Sequence, residues 1–279
     1  MECLGESMNL IPSLFMSKSL LSLTFFLTFL ITASSLLSVQ NRFGNKVVTP
    51  STSLAETSND SSIQGLADLR KEYSNIGLSE KSIPTNPFDL FKEWFENAQD
   101  SKVPEPNAFC LSTSYKNRPS ARIVLLKKFD ERGFVFYTNY NSRKSQEILE
   151  NPHVALTFLW VELERSVRIE GTAEKIPIRE SDEYFNSRPR NSRIGAWTSN
   201  QSERIESREL LEEQEAAVRM KFEGVDVIER PEHWGGFRVK PERIEFWKGR
   251  ESRLHDRVVY TSTSFSDNGE GWTVERLQP

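Results

Sequence analysis

Cysteine and histidine are scarce in this chain of 279 residues, with two of the first and three of the second. Cys3 and Cys110 stand far apart in unlike contexts, so neither a disulfide framework nor a cysteine metal site follows from them. His153, His233 and His255 are scattered without ligand spacing, and no metal is expected. A Gly-rich phosphate loop is also missing, which argues against P-loop and Rossmann readings. There is no basic excess either. The formal net charge is −4, whereas a general nucleic-acid binder carries a surplus of Lys and Arg, so local basic clusters need local explanations.

Charge is absent from one long run, "SLLSLTFFLTFLITASSLLSVQN", residues 19–41 between Lys18 and Arg42. Its length allows a membrane span or membrane contact. Its Ser and Thr content and the "TASS" stretch also fit a secretory signal. An organelle presequence would carry more arginines and fewer acids than Glu2 and Glu6, and an extension that is seldom made is a further reading. Localisation therefore stays open. "TPSTSLAETSNDSSIQG" then has the polar composition of a linker. We expect residues 1–65 to be leader and linker and residues 66–279 to be the folded domain.

What is present suffices for a core, with 37% hydrophobic and 11% aromatic residues. "LADLRKEYSNIGLSE" reads as a short helix running out at Gly77. "NPFDLFKEWFENAQD" reads as a second, with Phe88, Leu90, Phe91, Trp94 and Phe95 in an apolar stripe. Beyond Pro106, "AFCLSTSY", "ARIVLLKKF", "FVFYTNY", "VALTFLWVEL" and "SVRIEGTAEKI" are β-branched and aromatic runs with short breaks, and Gly133 suits a hairpin turn. "SRKSQEILENP", "IRESDEYFNSRP" and "SRELLEEQEAAVRMKF" have helical patterns. "GGFRVKPERIEFWK", "RVVYTSTSF" and "GWTVERLQ" close the chain as strands. The expected class is mainly β with peripheral helices, an antiparallel barrel.

Basic residues gather in several places. In "YTNYNSRKSQEILENP", Ser142 is placed to cap a helix through its hydroxyl. Arg143 and Lys144 occupy the first turn, where the helix dipole disfavours cations unless an anion binds. In "SARIVLLKKF", Arg122 and Lys127 point to opposite faces of a regular strand, unless a bulge or strand end intervenes. "YFNSRPRNSRIGAWTSNQS" packs Tyr184, Arg188, Arg190, Ser192 and Arg193 ahead of Gln201 and Ser202, a density of guanidinium and hydroxyl groups that suits a phosphate monoester. "EFWKGRESRLHDRVVY" adds Arg250, Arg253, His255 and Arg257. Solvated loops and turns would explain each cluster singly. Together with the aromatics, they suit a flat phosphorylated ligand.

In order along nearly all of the folded part, "LRKEY", "SARIVLLK", "VFYTNYNSRKSQEI", "YFNSRPRNSRIGAW", "NQS", "WGGFRV", "IEFWKGRESRLHDR" and "ERLQP" resemble the pyridoxine/pyridoxamine 5′-phosphate oxidase family. The resemblance implies an FMN-binding split β-barrel acting as a homodimer, with a C-terminal dimerisation segment at about 234–279. It assigns flavin contacts to Arg122, Ile123, Val124, Leu125, Tyr137, Thr138, Arg143, Lys144, Gln201, Ser202, Trp247 and Arg257. Lys127, Tyr184, Arg188, Ser192, Arg253, Leu254 and His255 match substrate contacts, and Arg70 and Tyr73 match a segment that closes over the substrate. Arg253 and His255 are the implied catalytic pair, expected two apart on one strand and facing the same way. One departure is Ser166, where the family commonly has Gln, so one flavin contact is replaced or lost.

The implied reaction oxidises pyridoxamine or pyridoxine 5′-phosphate to pyridoxal 5′-phosphate, with O2 as acceptor and H2O2 as product. A related split-barrel flavin oxidase acting on another ring, such as a phenazine precursor, is the nearest rival. A non-catalytic flavin or pyridoxal-phosphate carrier is another. Nucleic acid is not an expected partner.

Overall fold

The computed structural model describes residues 69, 71–74, 76–79, 81, 83–263 and 271–279. Residues 1–65, the uncharged run at 19–41 and Arg70 lie outside them. The first helix, α1 (Pro87–Asp100), begins where Asn86 accepts the Phe88 N–H on its side chain at 2.9 Å, with Pro87 in the first turn. Its stripe of Phe88, Leu90, Phe91 and Trp94 is buried. Phe91 meets Phe129, Phe134 and Phe158 edge-on at 4.9–5.2 Å between ring centres, the geometry that aromatic quadrupoles favour.

The strands are β1 (Ala108–Tyr115), β2 (Arg118–Leu125), β3 (Lys128–Asp130), β4 (Gly133–Asn139), β5 (His153–Trp160), β6 (Arg165–Lys175), β7 (Trp234–Lys248), β8 (Asp256–Ser262) and β9 (Trp272–Leu277). All pairings are antiparallel, in the order β2-β1-β5-β6-β7-β4-β3, with β8 on β7 and β9 on β8. The chain runs from β2 straight into β3, and the Lys127 N–H donates to the Val135 carbonyl at 2.9 Å, joining the two ends of the sheet into a barrel. Strand β7 pairs along its length with β6. It takes β4 as its other neighbour through Val239 and β8 from Arg243. The exchange falls at Pro241, which has no N–H to donate, opposite a register shift at Glu170/Gly171. A Cβ at Gly171 would collide with the Lys240 carbonyl. This split of the barrel sends β8 and β9 off as a separate flap.

Helices α2 (Arg143–Glu150), α3 (Ile178–Ser187), α4 (Arg190–Thr198) and α5 (Arg208–Lys221) lie outside the barrel. Two expectations change here. The "LADLRKEYSNIGLSE" stretch is not helical among its described residues. Its Ser74 and Leu78 amides donate to Glu164 and Asp256 at 3.0 and 2.9 Å instead of to their own helix. Conversely α4, to which the sequence pattern assigns no element, with a solvated loop as one alternative, is a helix, closing on a small core of Phe185, Ile194, Phe222 and Trp234. In α5 no residue is fully buried, and Val218 packs against that core only in part.

Candidate active site

A cavity of about 460 Å³ opens between β2, β4, the start of α2 and the α3–α4 pair. Lys144 reaches its floor from the first turn of α2. Its Nζ donates to Thr138 Oγ1 at 3.0 Å, Ser142 Oγ at 2.9 Å and Gln201 Oε1 at 2.7 Å. Burial, and then the charge of Arg122, lower its pKa to about 8, the mark of a cation short of a counter-charge. Ser142 does not cap the helix as expected. Its hydroxyl bonds the Asn139 carbonyl at 2.7 Å and serves Lys144 instead.

Ile123, Val124, Leu125 and Lys127 form one side of this cavity and Tyr137 and Thr138 another. Tyr184, Arg188 and Ser192 face them from α3 and α4, with Gln201 beyond. Tyr137 and Tyr184 stack at 3.9 Å, and Trp234 extends the stack at 5.4 Å from Tyr137. The Arg188 guanidinium lies 4.5 Å over Trp234, a cation–π contact. Its Nη1, like Arg193 Nε, is buried without a hydrogen-bond partner among the described residues. Buried polar groups are rarely left so, and an anion at Arg188 would satisfy it.

Arg122 and Arg143 do not line this cavity. Both turn to Glu147, at 2.9 and 2.8 Å, and Arg122 also meets Thr113 Oγ1 at 2.6 Å. Lys127 lies past the end of β2, so the regular-strand expectation of opposite faces does not apply to the pair; Lys127 lines this cavity and Arg122 does not. Burial alone would raise the Glu147 carboxyl, yet Thr113 and the two arginines hold it below its ordinary value.

The remaining candidates gather elsewhere. A second cavity, about 760 Å³, is lined by Tyr73, Arg250, Arg253 and His255 among others. Trp247 stands behind it, 4.8 Å from His255 and 5.8 Å from Tyr73 between ring centres. Arg253 and His255 do not alternate on a strand. Arg253 ends a 3-10 turn (Glu251–Arg253), and His255 precedes β8. What joins them is an unusual backbone: Ser252 and Arg253 both have positive φ, 56° and 61°, and such strain in residues with side chains collects at functional sites. Arg257, on β8 beside Trp247, is gripped by both oxygens of Glu245 at 2.8 and 3.1 Å. Leu254 is 69% exposed and lines neither cavity. Ser202 is also exposed, with φ 76°. Ser166 is spent on the Phe158 carbonyl at 2.9 Å, paired across from Trp247.

Sequence reasoning missed the supports. Glu147, Glu245 and Trp234 hold the arginines, and nothing local in the sequence marks the acids. Trp234 sits in the "WGGFRV" stretch, so that motif offered a signal.

The profile described as "Pyridoxamine 5'-phosphate oxidase" matches residues 95–222, and "Pyridoxine 5'-phosphate oxidase C-terminal dimerisation region" matches residues 234–279. A protein from Trichormus variabilis named pyridoxine/pyridoxamine 5′-phosphate oxidase is 58% identical over 215 residues, 77% of this chain and 98% of its own. The chain belongs to the pyridoxine/pyridoxamine 5′-phosphate oxidase family. A relative of the same name from Paraburkholderia phymatum is 54% identical, covering 77% of this chain and 99% of its own. Among solved structures, PhzG from Burkholderia lata, in complex with tetrahydrophenazine-1-carboxylic acid, superposes with a TM-score of 0.67 at 30% identity, covering 74% of this chain and all of that one. An FMN-binding protein from Nostoc punctiforme shares the fold at a TM-score of 0.55 and 16% identity. Split-barrel architecture and membership of this oxidase family thus stand together.

Proposed function

We propose that the chain is an FMN-dependent oxidase that converts pyridoxamine and pyridoxine 5′-phosphates to pyridoxal 5′-phosphate, with O2 as electron acceptor and H2O2 as product. The observation that carries this reading is the first cavity. Two separate cationic groups face one space there, Lys144 with Thr138 and Gln201, and Lys127 with Arg188, Tyr184 and Ser192. The donor sets fit two phosphate esters, one on the cofactor and one on the substrate. Lys144, with Arg122 and Arg143 released from Glu147, would take the FMN phosphate. The backbone of Ile123–Leu125, with Tyr137 and Trp247, would flank the rings.

When bound, the flavin would supply two-electron chemistry, taking electrons from the C4′ carbon of the substrate and delivering them to O2; with the amine substrate, water then hydrolyses the resulting imine and ammonia leaves. The chain's own residues orient and desolvate. Arg188 and Lys127 bind the substrate phosphate, and Tyr184 donates through a hydroxyl that burial keeps protonated, its pKa raised above the ordinary value. Arg253 and His255 hold the ring and assist proton removal at C4′.

One substrate molecule must meet Arg188 and His255 together, yet these residues line two different cavities. A second copy that brings one cavity against the other would complete the site, and this supports a homodimer. The outer face of β2–β1–β5 agrees, exposing Ile123 and Leu159 at 67% and 63% on one side. Residues 1–65 remain, on this reading, a leader and linker ahead of the 66–279 domain.

The test is aerobic turnover by the purified chain loaded with FMN. Pyridoxal 5′-phosphate formed with matching O2 uptake is expected from either B6 phosphate. A flavin-loaded chain inert to both, but active on a phenazine precursor, would transfer the reading to the rival substrate class. A chain that retains no flavin would remove it altogether.

A further inference from the structure

Glu164 occupies a backbone position better suited to glycine or asparagine. It follows the 3-10 turn Val161–Leu163 between β5 and β6, with φ 55° and ψ 40°, a region that disfavours residues with a Cβ. Its side chain is only 11% exposed and is densely bonded. Oε2 accepts the Ser74 N–H at 3.0 Å and the Ser74 hydroxyl at 2.8 Å. Lys248 Nζ approaches the same oxygen at 3.3 Å, and Lys71 Nζ stands 3.4 Å from Oε1. The Glu164 carbonyl accepts the Gly249 N–H at 2.8 Å, tying the turn to the end of β7. These contacts, led by the Ser74 amide, lower the acid to about 2, so it is ionised at any physiological pH.

What this carboxylate holds is an extended strap, residues 71–74, with no helix or strand of its own. Tyr73 lies within it and meets His255 edge-on at 5.3 Å and Trp247 edge-on at 5.8 Å. Gly249 makes the room, because a Cβ there would run into the Tyr73 ring. Further on, Asp256 accepts the Leu78 N–H at 2.9 Å. The strap is therefore pinned directly after Tyr73 by Ser74 and again at Leu78, with the exposed Lys71 ammonium paired to Glu164 before it, and it borders the cavity that Arg253 and His255 line.

We propose that Glu164 is a positioning residue, a latch that holds the strap so that Tyr73 roofs the substrate beside Arg253 and His255. It sets substrate affinity and leaves the chemical step alone. This rests on the function proposed above. Bonds to a charged acceptor are the strong ones, and releasing the pair from Ser74 is worth about 10- to 100-fold in affinity.

The test uses the full FMN-loaded chain and the variants Glu164→Gly, Glu164→Gln and Ser74→Ala. Glycine removes the carboxylate while relieving the left-handed backbone, so the fold is retained. Steady-state kinetics with pyridoxamine 5′-phosphate, flavin retention and the rate of tryptic cleavage after Lys71 are measured for each. Glu164→Gly is expected to raise KM about 10- to 100-fold, keep kcat within about twofold, keep the flavin, and speed cleavage after Lys71. Glu164→Gln keeps an acceptor for Ser74 but loses the pairing with both lysines, and falls between. An unchanged KM in Glu164→Gly, or a parallel fall in kcat and flavin retention, overturns the proposal. If the unmutated chain has no oxidase activity, the functional reading fails first. Cleavage after Lys71 then still decides the latch, and a rate unchanged by Glu164→Gly refutes it.

Discussion

With the FMN phosphate placed on Lys144, as proposed, flavin binding depends on pH. In the free chain the lysine's pKa is lowered to about 8, chiefly by burial and then by Arg122. A phosphate dianion placed against it returns the value towards the ordinary 10.5. FMN affinity is therefore nearly level between about pH 7 and 8, where the phosphate is already a dianion, and falls as pH rises further, because the lysine must regain a proton on binding. Between pH 7 and 9.5 the dissociation constant is expected to rise about 30-fold, or about 2 kcal/mol. Quenching of flavin fluorescence on titration reads it directly. Riboflavin, which lacks the phosphate, should show little of this slope. Lys144→Arg, whose charge persists throughout, should abolish it. Equal slopes for FMN and riboflavin, or a slope retained in Lys144→Arg, would refute the placement of the phosphate on Lys144. The same lowered value acts oppositely on the free fold. Between pH 8 and 10.5 the unfolded chain holds the extra proton, so this group's contribution to stability rises with pH.

Other outcomes follow from the same geometry. Arg253→Ala should lower turnover about 100-fold while retaining flavin, whereas Arg143→Ala with Lys144→Ala should strip the flavin; absorbance and initial rates separate the two. Glu245 is buried and binds the partly exposed Arg257, Arg168 and Arg243, so Glu245→Gln should cost about 1.5–3 kcal/mol in urea unfolding. Burial alone would raise that carboxyl, but the arginines hold it below its ordinary value; its stabilisation is therefore present above the unfolded carboxylate pKa and lost as pH falls through the folded value. Finally, Arg188→Ala and Arg253→Ala chains, each inactive alone, should regain about a quarter of full activity when re-paired at random, since half the dimers are mixed and each has one intact site. No recovery would contradict a site completed by two copies.

Much of the architecture was legible because the barrel strands announce themselves. In "AFCLSTSY" buried and half-buried residues alternate along β1, the period that a sheet imposes. The stripe of α1 was equally plain, whereas its cap at Asn86 emerged only in the structure. Helix α4 escaped because "RNSRIGAW" is crowded with polar groups, and its burial depends on Phe222 and Trp234 far along the chain. The helix expected up to Gly77 failed for the opposite reason: side chains about 90 and 178 residues away take its amides. The cationic residues of the site were visible in their clusters. Their carboxylate partners were not, because Glu147, Glu164 and Glu245 act through contacts that only folding creates. Arg253 and His255 share one cavity, but a left-handed turn puts them there and not a strand period.

The most direct test mixes the FMN-loaded chain with pyridoxamine 5′-phosphate in the absence of oxygen and follows the flavin's visible absorbance. The band is expected to bleach, one pyridoxal 5′-phosphate to appear per flavin, and the colour to return when O2 is admitted. A flavin that stays oxidised with the substrate bound would contradict the proposed reaction.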